Sequence, residues 1–127
     1  MLHTNVLGAM QAIPQVAPLV AASRQGGRLA FITSGMGQIG GVESSDGWTY
    51  RVSKAALNMA VAAAQPDYPG VIMVALCPGW VRTDMGGSGA PLGVEDSVAA
   101  MRRILAGLTP AEQGAFLHHD GRRYASW

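Results

Sequence analysis

The sequence predicts an α/β fold in one domain over residues 1–127, with about three strands in a parallel sheet and three main helices. Three observations carry that expectation. Segments whose apolar residues recur at helical intervals alternate with short apolar runs of strand length, the order a parallel sheet requires. The runs at 28–33 and 71–77 are near-continuously apolar, as expected of strands covered on both faces. Glycine-rich stretches follow both runs, where open α/β sheets place their ligands.

From Asn5 to Ser23, Val6, Met10, Ile13, Ala17 and Val20 keep a helical period across Pro14 and Pro18, which predicts a helix bent near its prolines. Gln25-Gly26-Gly27 ends it with residues suited to a left-handed cap. Arg28-Leu29-Ala30-Phe31-Ile32-Thr33 is the first strand, and the Gly- and Ser-rich 34–47 is a loop. A second helix runs from Trp48 to Ala64 and stops before Pro66-Asp67-Tyr68-Pro69-Gly70. Val71 to Cys77 is the clearest strand and takes a central, parallel place; Pro78-Gly79 closes it. Residues 80–93 form a glycine-rich flap. Glu95 and Asp96 suit the positive end of a third helix, Val94 to Ala106. Ala115-Phe116-Leu117-His118 is a short last strand. The expected wiring is right-handed throughout. Three strands ending at the apolar 28–33 run leave a bare edge, which calls for a cover from another subunit or a missing segment.

A net charge of +1 without a basic run argues against nucleic acid and against an anionic membrane surface. Small-molecule chemistry or protein contact remains. No stretch approaches the roughly 20 apolar residues of a membrane span. A lone cysteine, Cys77, has no internal partner, which fits a reducing, cytoplasmic setting. His3, His118 and His119 lack metal-ligand spacing with one another or with Cys77, so no metal is expected.

The chemistry-bearing stretch is Tyr50-Arg51-Val52-Ser53-Lys54. On a helix, a spacing of four puts phenol and ammonium on one face. A neighbouring cation favours phenolate, which brings the tyrosine closer to proton exchange at neutral pH. Surface Tyr/Lys pairs at this spacing are common, so the pair needs support from the rest of the chain.

That support comes from four stretches in order: Asn5-Val6-Leu7-Gly8, Ile32-Thr33-Ser34, the Tyr50 to Lys54 segment, and Cys77-Pro78-Gly79-Trp80-Val81-Arg82-Thr83-Asp84-Met85. Together they resemble the C-terminal half of a short-chain dehydrogenase/reductase, over essentially the whole chain. The resemblance implies a truncated Rossmann-like sheet and NAD or NADP as cofactor. It makes Tyr50 the general acid/base, Lys54 the group that lowers its pKa and holds the nicotinamide ribose, Ser34 a donor to the substrate oxygen, and Asn5 the holder of a water linked to the lysine. Pro78, Gly79, Val81 and Thr83 would touch the nicotinamide end. Such a set suits carbonyl or alcohol oxidoreduction, because a hydroxyl and a phenol meet the oxyanion charge that hydride transfer builds. Plainer roles stand beside these: a helix N-cap for Asn5, a strand-end turn for Ser34 and Pro78-Gly79.

Gly35-Met36-Gly37-Gln38-Ile39-Gly40 matches G-x-G-x-x-G as a string but leads into loop, whereas the dinucleotide fingerprint opens a helix. The pyrophosphate turn of the family's N-terminal half is thus not recognised, and weak cofactor binding is expected. Two further readings follow: a cofactor-independent ester or glycoside hydrolase using Ser34, Tyr50 and Lys54, and a homo-oligomerisation module pairing through helices 5–23 and 48–64 or the edge strand 28–33. Trp48, Trp80 and the flap from Gly86 to Gly93 are candidates to border a substrate.

Overall fold

The computed structural model describes all residues, Met1 to Trp127. A π-helical turn at His3–Leu7 runs directly into helix α1, Gly8–Ala21. Strand β1 is Gly27–Ile32, helix α2 Trp48–Ala64, strand β2 Val71–Leu76, helix α3 Val94–Gly107 and strand β3 Phe116–Leu117. Short 3-10 turns lie at Gly35–Gly37, Gln65–Asp67 and Pro110–Glu112. The three strands are parallel in the order β1-β2-β3, with Gly27 opposite Val71 and Ile32 opposite Leu76.

Both prolines lie inside α1, and the helix continues through them. Each removes an amide donor, so the carbonyls of Met10 and Pro14 lose their i+4 partners. The helix stops two residues before the expected Ser23, where the Ser23 amide bonds to Val20 O, three residues back, instead of extending the i→i−4 ladder. β3 is shorter than the expected 115–118. The Ala115 amide is taken by Glu112 O and the His118 amide by Arg122 O, while the Ala115 and Leu117 carbonyls accept from the Ala75 and Cys77 amides of β2.

Alternation along β2 divides the core. Val71, Met73 and Ala75 face α1 and α2, packing with Ile13, Ala17, Leu57, Val61 and Phe116. Val74 and Leu76 face α3 and pack with Leu108, Ala115 and Leu117, flanked by Met101, Ile104 and Leu105. A strand apolar at every position is what two covered faces demand. This arrangement corrects the expected handedness. Both crossovers step the same way across the sheet, but α2 and α3 lie on opposite faces, so the two connections are of opposite hand and the right-handed rule holds for one of them. The irregular 77–93 segment supplies the length to carry the chain round to the other face.

Because β3 is so short, side-chain amides complete the ladder at the start of β2. Gln65 is buried; its Nε2 donates to Val71 O (2.8 Å) and Tyr68 O (3.1 Å), and its Oε1 accepts from the Met73 amide (2.7 Å). Gln113 Nε2 adds a donor to Val71 O at 3.1 Å.

β1 is the edge strand, as the sequence implies, and Ile32 at its end is half exposed. In a parallel pair alternate residues turn their amides outward. The Thr33 amide bonds inward to Leu76 O, so the Ile32 carbonyl faces out, where Lys54 Nζ donates to it at 2.9 Å.

Candidate active site

The carboxyl ends of β1 and β2 open into a cleft of about 880 Å³. Ser34 and Tyr50 line it together with Pro78, Gly79, Val81 and Thr83, so six of the eight residues singled out from the sequence share one concave surface. Lys54 and Asn5 are absent from its wall. They stand behind it. Trp80 and Gly86 of the flap also line the cleft, whereas Trp48 does not.

Tyr50 is held from its backbone. Asn5 Nδ2 donates to Ser53 Oγ at 3.0 Å, and Ser53 Oγ donates to the Tyr50 carbonyl at 2.8 Å, which ties the start of the first helical segment to the first turns of α2. The direct side-chain partner of Asn5 is thus Ser53. Nor is Asn5 a helix cap: the cap position belongs to Leu2, and the Asn5 amide bonds within the helix to Met1 O.

Lys54 Nζ lies 5.7 Å from the centre of the Tyr50 ring, close enough for its charge to act on the phenol. Burial pushes the Lys54 ammonium below its ordinary pKa, against an opposing pull from Cys77. One of its three donors serves Ile32 O; two are free for another acceptor.

Ser34 takes the turn role as well as a place in the cleft. Its Oγ accepts the Met36 amide at 3.0 Å and caps the 3-10 turn Gly35–Gly37. That bond uses a lone pair and leaves the hydroxyl hydrogen available to a ligand oxygen. The G-x-G-x-x-G string is this turn followed by loop, in line with its rejection as a dinucleotide fingerprint. Gly79 takes φ +83°, and a Cβ there would stand 2.9 Å from His119 Nδ1. The Pro78 carbonyl accepts from the buried Ser97 Oγ at 2.7 Å, which pins the β2 end to the start of α3.

The flap is irregular but internally bonded. Trp80 Nε1 donates to Gly86 O (2.9 Å), Thr83 Oγ1 accepts from the Gly86 amide (3.1 Å), and Arg82 Nη1 donates to the carbonyls of Ala90 and Pro91. No hydrogen bond joins Ser34 Oγ to the Tyr50 hydroxyl or to Lys54 Nζ. No group of three His, Cys, Asp or Glu side chains is placed to hold a metal ion.

Sequence reading missed four contributors: Ser53, Asn58, Ser97 and Tyr124. Asn58 stands one helical turn after Lys54, and its Oδ1 accepts from Thr33 Oγ1 at 2.6 Å, fixing the strand end beneath Ser34. The helical repeat from Lys54 places Asn58 on the same face and is the signal that was available. Ser97 and Tyr124 left none, because their partners are distant in sequence.

The site is a cleft at the carboxyl ends of a parallel sheet, with a serine and a tyrosine on its wall, where α/β proteins place their ligands. The chain belongs to the short chain dehydrogenase family, whose profile matches residues 1–90. It is 39% identical over 125 residues to the C-signal protein of Myxococcus xanthus, covering 95% of this chain and 75% of that one. It is 32% identical to 1-hydroxy-2-glutathionyl-2-methyl-3-butene dehydrogenase of Rhodococcus sp. (strain AD45), of which it spans 54%. Among solved structures it resembles the carbonyl reductase Sniffer of D. melanogaster (TM-score 0.89, 34% identity) and an NADPH-bound carbonyl reductase from chicken fatty liver (TM-score 0.89, 31%). Each superposition covers 99% of this chain and 55% of the other. The chain therefore spans about half the length of these two reductases. No helix is long and apolar enough to cross a membrane.

Proposed function

We propose that this chain carries the catalytic half of an NAD(P)-dependent carbonyl or alcohol oxidoreductase site. The observation that carries the reading is the convergence of Ser34 and Tyr50, from the β1 end and α2, on one cleft with Pro78, Gly79, Val81 and Thr83. The residues present fit one end of the cofactor. Hydroxyl groups and apolar wall suit a carboxamide-bearing ring, and the free donors of Lys54 suit a ribose. For the pyrophosphate this chain offers no Gly-rich turn opening a helix.

When bound, NAD(P) supplies the hydride. The Tyr50 phenol gives its proton to the substrate oxygen in reduction and recovers it in oxidation. The Ser34 hydroxyl donates to the same oxygen as charge develops there. The hydrolase reading gains no support, since Ser34 lacks a side-chain base at hydrogen-bond distance.

Isothermal calorimetry with NADPH tests the cofactor half of this proposal. The 127-residue chain alone is expected to show no binding at micromolar concentrations, because contacts to the pyrophosphate and adenosine are lacking. Micromolar affinity would overturn that account.

A second reading, self-assembly, draws on the exposed Leu7, Met10, Val16 and Leu19 of the first helical segment with Val52 and Met59 of α2, and on the open β1 edge. Burial of such apolar area drives association. Multi-angle light scattering is expected to give a dimer or larger species, and a clean monomer at tens of micromolar would exclude it.

A further inference from the structure

We propose that Tyr124 is a specificity-determining residue of the cleft, setting the size of the carbonyl substrate that reaches Ser34 and Tyr50. It belongs to no motif in the sequence. After β3 the chain doubles back, with the Tyr124 amide bonded to Phe116 O at 3.0 Å and the His118 amide to Arg122 O. The ring slots between Phe116 (centroids 3.9 Å apart, planes 13°) and His118 (3.6 Å, 17°), so both its faces are covered and its direction is set.

That direction carries the hydroxyl to the inner wall of the cleft. A Cβ on Gly35 would lie 2.7 Å from the Tyr124 oxygen, so the glycine next to Ser34 leaves the room that the phenol uses. Cys77 is the other neighbour: its Sγ accepts from the Gly35 amide at 3.3 Å. Burial first, and the nearby Cys77 second, push the Tyr124 pKa above that of a free tyrosine. Two further bonds hold the tail, Gln38 Nε2 to Ser126 Oγ and the Gly40 amide to Trp127 O, each 2.9 Å. Much of the remaining wall is apolar and includes Met36, Met85 and Met101, flexible side chains that adapt to many shapes. A ring wedged between two others does not adapt. Tyr124 is the rigid limit on that side.

The inference rests on the carbonyl reading, so its test uses binding without cofactor. Ligand-observed NMR titration with acetophenone and 2-acetylnaphthalene gives the ranking of a small and a large aryl ketone. The unmodified chain and Tyr124→Phe are expected to prefer acetophenone. Tyr124→Ala is expected to move the ratio by about tenfold toward the larger ketone. Iodoacetamide should alkylate Cys77 faster in Tyr124→Ala and in Gly35→Ala, reporting that the wall has opened. Circular dichroism melting checks folding, and Tyr124→Leu takes the place of the alanine variant if that one is unfolded. An unchanged ranking in the shortened variant overturns the proposal, as does unchanged alkylation or failure of both ketones to bind the unmodified chain. An altered ranking with Tyr50→Phe reducing an aryl ketone at millimolar NADPH as fast as the unmodified chain would instead count against the oxidoreductase reading alone.

Discussion

Tyr50→Phe is expected to lower NADPH-dependent reduction of an aryl ketone by about 10²- to 10⁴-fold, the range that loss of a positioned proton donor produces. Initial rates at millimolar NADPH, above the micromolar range in which no binding is expected, and with a rate for the unmodified chain that exceeds the enzyme-free control, are the measurement. Fold stability should hardly change, because the ring is only partly buried and the α2 anchor runs through the Tyr50 carbonyl, which phenylalanine keeps. The contrast with Ser34→Ala is informative. Removing that hydroxyl deletes a cleft donor and also uncaps the Met36 amide, so a rate loss should come with a lower melting temperature. Equal rates for Tyr50→Phe and the unmodified chain would remove Tyr50 from the chemistry.

Gln65→Leu is expected to produce the largest loss of stability among single polar substitutions. It leaves the Met73 amide without its acceptor and takes one donor from Val71 O, at the start of the central strand. An unsatisfied buried backbone group costs about 1–3 kcal/mol, so the expected loss is about 2–4 kcal/mol. Urea unfolding monitored by circular dichroism measures it. Gln113→Leu serves as comparison, since Val71 O keeps the Gln65 donor there and Met73 is untouched, and its effect should be markedly smaller. Equal losses for the two would mean that Gln65 does not substitute for the missing length of β3.

Much of the fold was legible because its signals are local. The Trp48 to Ala64 helix was bounded correctly at both ends, since its period begins after Gly47 and breakers follow at Pro66. β2 was legible as central, because its run is apolar at every position, rich in β-branched residues and closed by Pro78-Gly79. The errors sit at element ends, where a neighbouring turn takes the amide that would extend the element. The Ser23 amide bonds to Val20 O, and the Ala115 and His118 amides are claimed by the carbonyls of Glu112 and Arg122. In the site, Ser34, Tyr50, Pro78, Gly79, Val81 and Thr83 were legible through motif order, and the cleft brings them together. The partner of Asn5 was not, because Ser53 lies on another helix.

By itself, then, the sequence determined which segments are helix or strand, the parallel α/β class, the family, and the residues to examine first. Those properties follow from hydrophobic period, from glycine and proline placement, and from motif order, all read within short windows. Only the tertiary structure decided the opposite hands of the two crossovers, the glutamine clamp on β2, the seating of Lys54 on the β1 edge and the arrival of Tyr124 beside Ser34. Each depends on groups that meet only when the sheet closes. A local pattern states which face of an element is apolar, but not which distant side chain will fill the space that face leaves open.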